Sequence, residues 1–190
     1  MAGNRASFDR AMKVCEDALA RNPKHAQAMV WHGSGLFFLA GRAFQAGDLN
    51  KGLDLRRRGE KEMTDAVALE PDVRTLIPRG STYLQASMRA SSPAQVKAML
   101  EVGVADYERV LVLQKPYFST LDLHARGELL WGLAEGWHRL NNIEKARNYF
   151  LRIVSECAGS SYAEKAQAWL DKRELPVKQS ALSCSGCHAG

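Results

Sequence analysis

The residues with the clearest chemical potential are two cysteines and a histidine close together in sequence. Cys184, Cys187 and His188 form the stretch Cys-Ser-Gly-Cys-His. Two thiols separated by two residues can bind one metal ion, form a disulfide, or add to neighbouring vinyl groups of one molecule, and imidazole is a common metal ligand. The small residues between them, Ser185 and Gly186, allow this loop to lie against the edge of a planar ring.

This arrangement resembles the CxxCH haem-attachment motif of c-type cytochromes. In that motif each thiol forms a thioether with one vinyl group of the same porphyrin, and the imidazole binds the iron as the proximal axial ligand. The resemblance implies one covalent haem c per chain, attached through Cys184 and Cys187, with His188 on the iron. A chance match is uncommon because the chain has only four cysteines and five histidines.

Three other uses of these residues remain open. A zinc site needs four Cys or His ligands, usually as two pairs, and the chain has no second CxxC; Cys15 and Cys157 lie far away in predicted helices. A thioredoxin-type dithiol is expected between a strand and a helix, which the neighbouring sequence does not predict. The cysteines are also compatible with an incidental tail.

The rest of the chain has the periodicity of amphipathic helices and no strand-like alternation. Apolar stripes end at Pro23, Pro71 and Pro116, at nearly equal intervals, and a fourth ends at Gly159, which indicates a helical repeat. We predict helices over residues 6–22, 26–46, 49–70, 73–90, 94–114, 120–140, 142–157 and 161–173.

The stretch 128–154, ELLWGLAEGWHRLNNIEKARNYFLRIV, resembles a tetratricopeptide repeat. Its first helix has bulky, bulky, small and aromatic residues where that motif has them, and its second helix repeats the pattern. The matching positions are Leu130, Leu133, Ala134, Trp137, Ala146, Phe150 and Ile153. The resemblance covers 26–173 as an architecture, although the helix over 49–70 is too long for a standard repeat.

The resemblance implies an all-α fold, a right-handed solenoid of about seven or eight helices stacked as hairpins. We expect one helical-repeat domain over residues 1–173, followed by a linker and haem-attachment tail over 174–190. This linker is long enough for the haem to reach either its own repeats or those of a symmetric second copy.

The same resemblance predicts a partner-binding groove lined by the first helix of each hairpin. In this chain the residues at those positions are Glu128, Trp131, Glu135, His138 and Arg139. The alternative is that Trp131 packs against the neighbouring repeat and that the charged residues form a solvated face.

The sixth ligand of a haem iron would decide whether it shuttles electrons or binds small ligands. We expect His138 first, because the repeat register places it on the concave side. The other candidates in order are His32, His124 and His25, followed by Met29 and Met88. For each histidine the alternative is an imidazole that only packs or faces solvent.

Composition excludes several other classes of function. The net charge of +5, with no basic run beyond residues 56–58, gives no nucleic-acid footprint, and no apolar stretch is long enough to span a membrane. The sequence contains no phosphate-binding Gly-rich loop, no HExxH and no serine nucleophile elbow. Enzymatic activity, if any, would therefore rest on the haem.

We therefore predict an exported haem protein that transfers single electrons while its helical surface docks a redox partner. Haem attachment to CxxCH, as the resemblance implies, takes place in the bacterial periplasm, so we expect that an export signal has been removed. In that compartment Cys15 and Cys157 could pair, although free thiols are favoured. The alternative is a periplasmic repeat scaffold or solute-binding protein whose CxxCH is incidental or binds zinc.

Overall fold

The structure, a computed structural model, describes residues 2–172, with side chains from residue 5 onward. Within this range every regular element is a helix and none is a strand, so the prediction of an all-α fold is confirmed. Its eight α-helices are α1 (Ala2–Arg21), α2 (Ala26–Gln45), α3 (Leu49–Leu69), α4 (Val73–Ala86), α5 (Pro93–Gln114), α6 (Leu123–Arg139), α7 (Ile143–Glu156) and α8 (Ser161–Lys172).

Side-chain caps set where several helices begin. Asp48, Ser92, Asp122 and Asn142 precede α3, α5, α6 and α7, and each accepts a hydrogen bond from the backbone N–H three residues later. Such a cap satisfies one of the backbone donors that a helix N-terminus leaves unpaired. The cap at Asp122 also explains why α6 begins three residues later than predicted, because residues 118–120 form a separate 3-10 turn.

The chain divides into two compact units, residues 1–82 and 83–190, with the division inside α4. In the first unit α2 packs between α1 and α3. Gly33 and Gly59 bring α2 and α3 into backbone contact, since a Cβ on Gly59 would lie 2.6 Å from the Gly33 carbonyl oxygen. Beside this contact, His32 Nδ1 lies 2.6 Å from Glu62 Oε2.

In the second unit α6 occupies the centre and packs against α5, α7 and α8. Leu130 and Leu133 of α6 are fully buried together with Phe150 of α7 and Trp169 of α8. The rings of Phe150 and Trp169 stack with centroids 4.2 Å apart. This aromatic core holds the helix that carries the predicted groove residues.

The hairpins α2–α3 and α6–α7 have the same turn. Gly47 and Asn141 both adopt a left-handed conformation, with φ of 81° and 61°. The next residues, Asp48 and Asn142, donate their backbone N–H to the carbonyls of Ala43 and Trp137, each at 2.9 Å, and then cap the second helix. This is a Schellman-type helix end.

The two first helices also match in register. Gly33, Leu36 and Ala40 of α2 correspond to Gly127, Leu130 and Ala134 of α6, and all six are buried. Shared turns and shared buried positions are what a repeated hairpin requires. The solenoid stacking and the single repeat domain over 1–173 stay predictions.

Candidate functional site

The predicted haem-attachment residues, Cys184, Cys187 and His188, lie outside the described residues. The last described helix, α8, ends at Lys172 and packs against α6 and α7. The chemistry of the donor set fits a c-type haem, since two thiols and one imidazole stand at the required spacing. The described part of the chain contains the predicted groove residues, all on α6, and the other candidate iron ligands.

Trp131 lies in the core of the second unit. Its side chain is 6% exposed, and its ring meets Phe150 edge-on at a centroid distance of 5.5 Å. Its indole Nε1 donates to Glu135 Oε2 at 3.2 Å. Trp131 therefore packs against α7 and at the same time orients a carboxylate one turn further along α6.

Glu135 and Arg139 form a half-buried pair of charged residues one turn apart on α6. Burial raises the pKa of the Glu135 carboxyl, while the charge of Arg139 and the hydrogen bond from Trp131 act in the opposite direction. Burial lowers the pKa of Arg139, and Glu135 opposes this shift. The guanidinium stays charged at neutral pH and donates from Nη1 to the Leu84 carbonyl at 3.3 Å.

His138 packs edge-on against Trp169 of α8, with ring centroids 5.5 Å apart. Its Nδ1 is buried and has no hydrogen-bond partner among residues 5–172. Burial lowers the pKa of the imidazole, which favours its neutral form. A neutral imidazole is the form that binds metals.

Glu128 begins the same stripe of α6 and is mostly covered. Its Oε2 lies 3.5 Å from His124 Nε2, and the other ring nitrogen of His124 lies 3.2 Å from the Tyr162 hydroxyl of α8. The end of α6 that carries these residues is thus tied to α8. Whether a partner contacts the predicted groove residues stays a prediction, and Trp131 has little surface to offer one.

Two of the remaining candidate iron ligands have structural partners. His32 is buried against Glu62, and His25 caps α2 by accepting from the Ala28 N–H through Nδ1. Met29 is half-buried and Met88 is about half exposed. Cys15 and Cys157 are both free. No three His, Cys, Asp or Glu side chains come together as a metal site between residues 5 and 172.

A second polar cluster joins α5, α6 and α7, and it was not among the sequence predictions. Trp137 Nε1 donates to Glu108 Oε1 at 3.0 Å, and Lys145 Nζ lies 3.7 Å from the centroid of the Trp137 ring. The same ammonium is 3.9 Å from Glu108. These residues come from three helices, so no local sequence pattern could have brought them together.

Comparisons with known proteins give no relative for this chain. No family model, no curated protein and no solved structure matches it. Among the described helices, none is both long and apolar enough to cross a membrane.

Proposed function

We propose that this protein is an exported c-type haem protein that transfers single electrons. The observation that carries the proposal is the sequence Cys184-Ser185-Gly186-Cys187-His188, which has the residue types and spacing of a haem-attachment motif. When bound, haem c supplies one-electron oxidation and reduction at its iron.

The chain would hold this group with three side chains. Cys184 and Cys187 fix the porphyrin through two thioether bonds, so the haem cannot dissociate, and His188 binds the iron. Neighbouring hydrogen bonds and burial then tune the potential, as in other haem proteins.

His138 is the residue that we propose as the sixth ligand. Its support is that burial favours the neutral imidazole, which is the form that binds iron, and that the repeat register places it on the groove side of α6. His25 and His32 each use Nδ1 in contacts that stabilise α2, which leaves only Nε2 of each ring for a metal. Ligation by His138 would give a low-spin iron of low potential.

The helical surface would supply the docking site for a redox partner. On the first unit, Trp31 and Phe38 stand two turns apart on α2 and are 47% and 48% exposed. Exposed aromatic side chains are enriched at protein interfaces. On the second unit, Arg139 and Glu135 offer charged contacts on α6, with Trp131 holding Glu135 in place.

A helical-repeat scaffold or solute-binding protein is the second candidate function. The shared turn of α2–α3 and α6–α7 supports it, because repeated hairpins are the building unit of such proteins. In that case the CxxCH residues would be incidental or would bind zinc.

Absorption spectroscopy separates the two functions. The chain is fused to an export signal, expressed with haem-maturation machinery and purified from the periplasm. We expect a red protein whose Soret band survives denaturation, and loss of that covalent colour in the double variant Cys184→Ser/Cys187→Ser. Cys15→Ser is the matched control and keeps the haem. Colourless protein that holds one zinc per chain would refute the electron-transfer proposal.

The sixth ligand has its own readout. The variant His138→Ala retains covalent haem but changes from a low-spin to a high-spin spectrum, and His124→Ala does not. If His138→Ala leaves the spectrum low-spin, the assignment of His138 is wrong while covalent attachment still stands.

A further inference from the structure

The second unit contains an open cavity of about 480 Å³ between the start of α5 and the end of α6. Its volume lies within the range of small-molecule sites, roughly 300 to 1,000 Å³. All of its lining residues come from the segments 90–100 and 139–141. No lining residue belongs to the CxxCH motif, so the cavity can be tested on the chain without haem.

One part of the cavity wall is apolar. Leu100 is fully buried, and Val96 and Leu140 are half-buried beside it. Burying an apolar ligand surface here is favourable by about 25 cal/mol per Å². The cavity therefore offers binding energy to an apolar body.

The other part of the wall carries two positive charges. Arg139 is half-buried there and uses Nη1 to donate to the Leu84 carbonyl, which leaves other donors of the planar guanidinium. Lys97 is exposed, and its Nζ is 3.7 Å from Glu101 Oε1. Two hydroxyl residues, Ser91 and Ser92, also line the cavity.

The acidic residues around these cations limit the charge of a ligand. Glu135 lies on the same helix as Arg139, close enough to affect its ionisation, and Glu101 lies beside Lys97. Because each cation already has a carboxylate near it, the local excess of positive charge is small. A ligand with one negative charge fits this balance better than a phosphate with two.

We propose that the cavity binds a small organic acid with a single carboxylate. The apolar body of the ligand contacts Val96 and Leu140, with Leu100 buried beneath them, and its carboxylate accepts hydrogen bonds from the Arg139 guanidinium, whose fork matches a carboxylate. Lys97 adds attraction at the rim.

Calorimetric titration of the full chain with indole-3-acetate and with indole-3-acetamide tests the proposal. The two probes match in shape and differ in charge. We expect the acid to bind at least about tenfold more tightly than the amide, because hydrogen bonds between charged groups are the stronger ones. We also expect the affinity for the acid to fall as salt is added.

Three variants locate the binding site. Arg139→Met weakens indole-3-acetate binding by at least about tenfold, whereas Arg147→Met on the exposed side of α7 leaves it unchanged. Val96→Trp fills the cavity without altering its charge and abolishes binding of both probes. Circular dichroism confirms that each variant is folded, and Arg139→Lys, which keeps the charge, retains part of the affinity if Met at this position unfolds the protein.

Three results would overturn the proposal. They are equal affinities for the acid and the amide, unchanged affinity in folded Val96→Trp, and no heat of binding for indole-3-acetate at millimolar concentrations.

Discussion

At the crossing of α2 and α3, two glycines allow the helix backbones to touch. A Cβ on Gly59 would lie 2.6 Å from the Gly33 carbonyl oxygen and 3.0 Å from the Phe37 backbone nitrogen. Backbone atoms cannot move aside as a flexible side chain can, so any larger residue forces the helices apart. The glycines are therefore required by packing, despite their low helix propensity.

Gly59→Ala is expected to lower the free energy of unfolding by about 1 to 3 kcal/mol, as overpacking of a close contact does. Gly41 provides the control, because a Cβ added to this residue of α2 would meet no atom within 4 Å. Gly41→Ala should raise the free energy of unfolding by about 0.5 to 1 kcal/mol. Urea denaturation followed by circular dichroism measures both, and equal effects would contradict the close crossing.

Glu135 is a second residue whose surroundings have a measurable consequence. Burial raises its pKa above the ordinary 4.5. At pH values between the ordinary pKa and the pKa in the folded state, Glu135 is ionised in the unfolded chain and protonated in the folded chain. The stabilising contribution of Glu135 to the free energy of unfolding is thus present at low pH and is lost as pH rises through the pKa of the folded state.

Glu135→Gln is therefore expected to stabilise the protein at pH 7 and to have little effect at pH 4, where the carboxyl is largely protonated in the folded state. The amide oxygen can still accept from Trp131 Nε1. Glu164→Gln on the exposed surface of α8 is the control. It should change the free energy of unfolding by no more than about 0.5 kcal/mol at both pH values. A stabilisation by Glu135→Gln that is larger at pH 4 than at pH 7 would show that the pKa shift has the opposite sign.

At the scale of single residues, the sequence predicts which side chains could act as ligands. It does not predict how deeply those side chains are buried or what they contact. Cys184, Cys187 and His188 are neighbours in the chain, so their spacing could be interpreted without a fold. The burial of Trp131 and the position of Arg139 beside a cavity depend on α5 and α7, which are distant in sequence. Helical periodicity places a residue on a face but does not say how deeply that face is covered.

At the scale of elements, the hairpins α2–α3 and α6–α7 show why most helix boundaries could be predicted. Their ends are encoded locally, by a left-handed residue and then by a capping side chain, Asn141 and Asn142 in the second hairpin. The later start of α6 has an equally local cause, the 3-10 turn before it. Packing between helices is not local, and the cluster of Glu108, Trp137 and Lys145 could not be predicted.

Asn142→Ala removes the cap of α7, whose side chain accepts from the Lys145 N–H at 3.1 Å. We expect Asn142→Ala to lower the free energy of unfolding by about 1 kcal/mol. Asn142→Asp should be as stable as the unchanged protein, because aspartate caps equally well. Asn148→Ala, at an exposed position within α7, is the control and should not destabilise the protein. Equal stability of Asn142→Ala and Asn142→Asp in thermal melts would show that the cap contributes nothing.

At the scale of the whole molecule, the described residues supply helices, a cavity and aromatic surfaces, while the proposed redox chemistry depends on the CxxCH residues. The all-α architecture was predictable because every apolar stripe has the same period. The solenoid and the electron-transfer function stay predictions, since neither follows from helix content alone. The two units share the same hairpin turn.

The central claim is that a porphyrin is bonded to both sulfurs of the CxxCH sequence. Trypsin cleaves after Lys178 and so releases a peptide that begins at Gln179 and carries the whole motif. Mass spectrometry of this peptide, from protein matured in the periplasm, should show the added mass of one haem, retained under denaturing conditions and absent from Cys184→Ser/Cys187→Ser. An unmodified peptide with two free thiols would contradict the account.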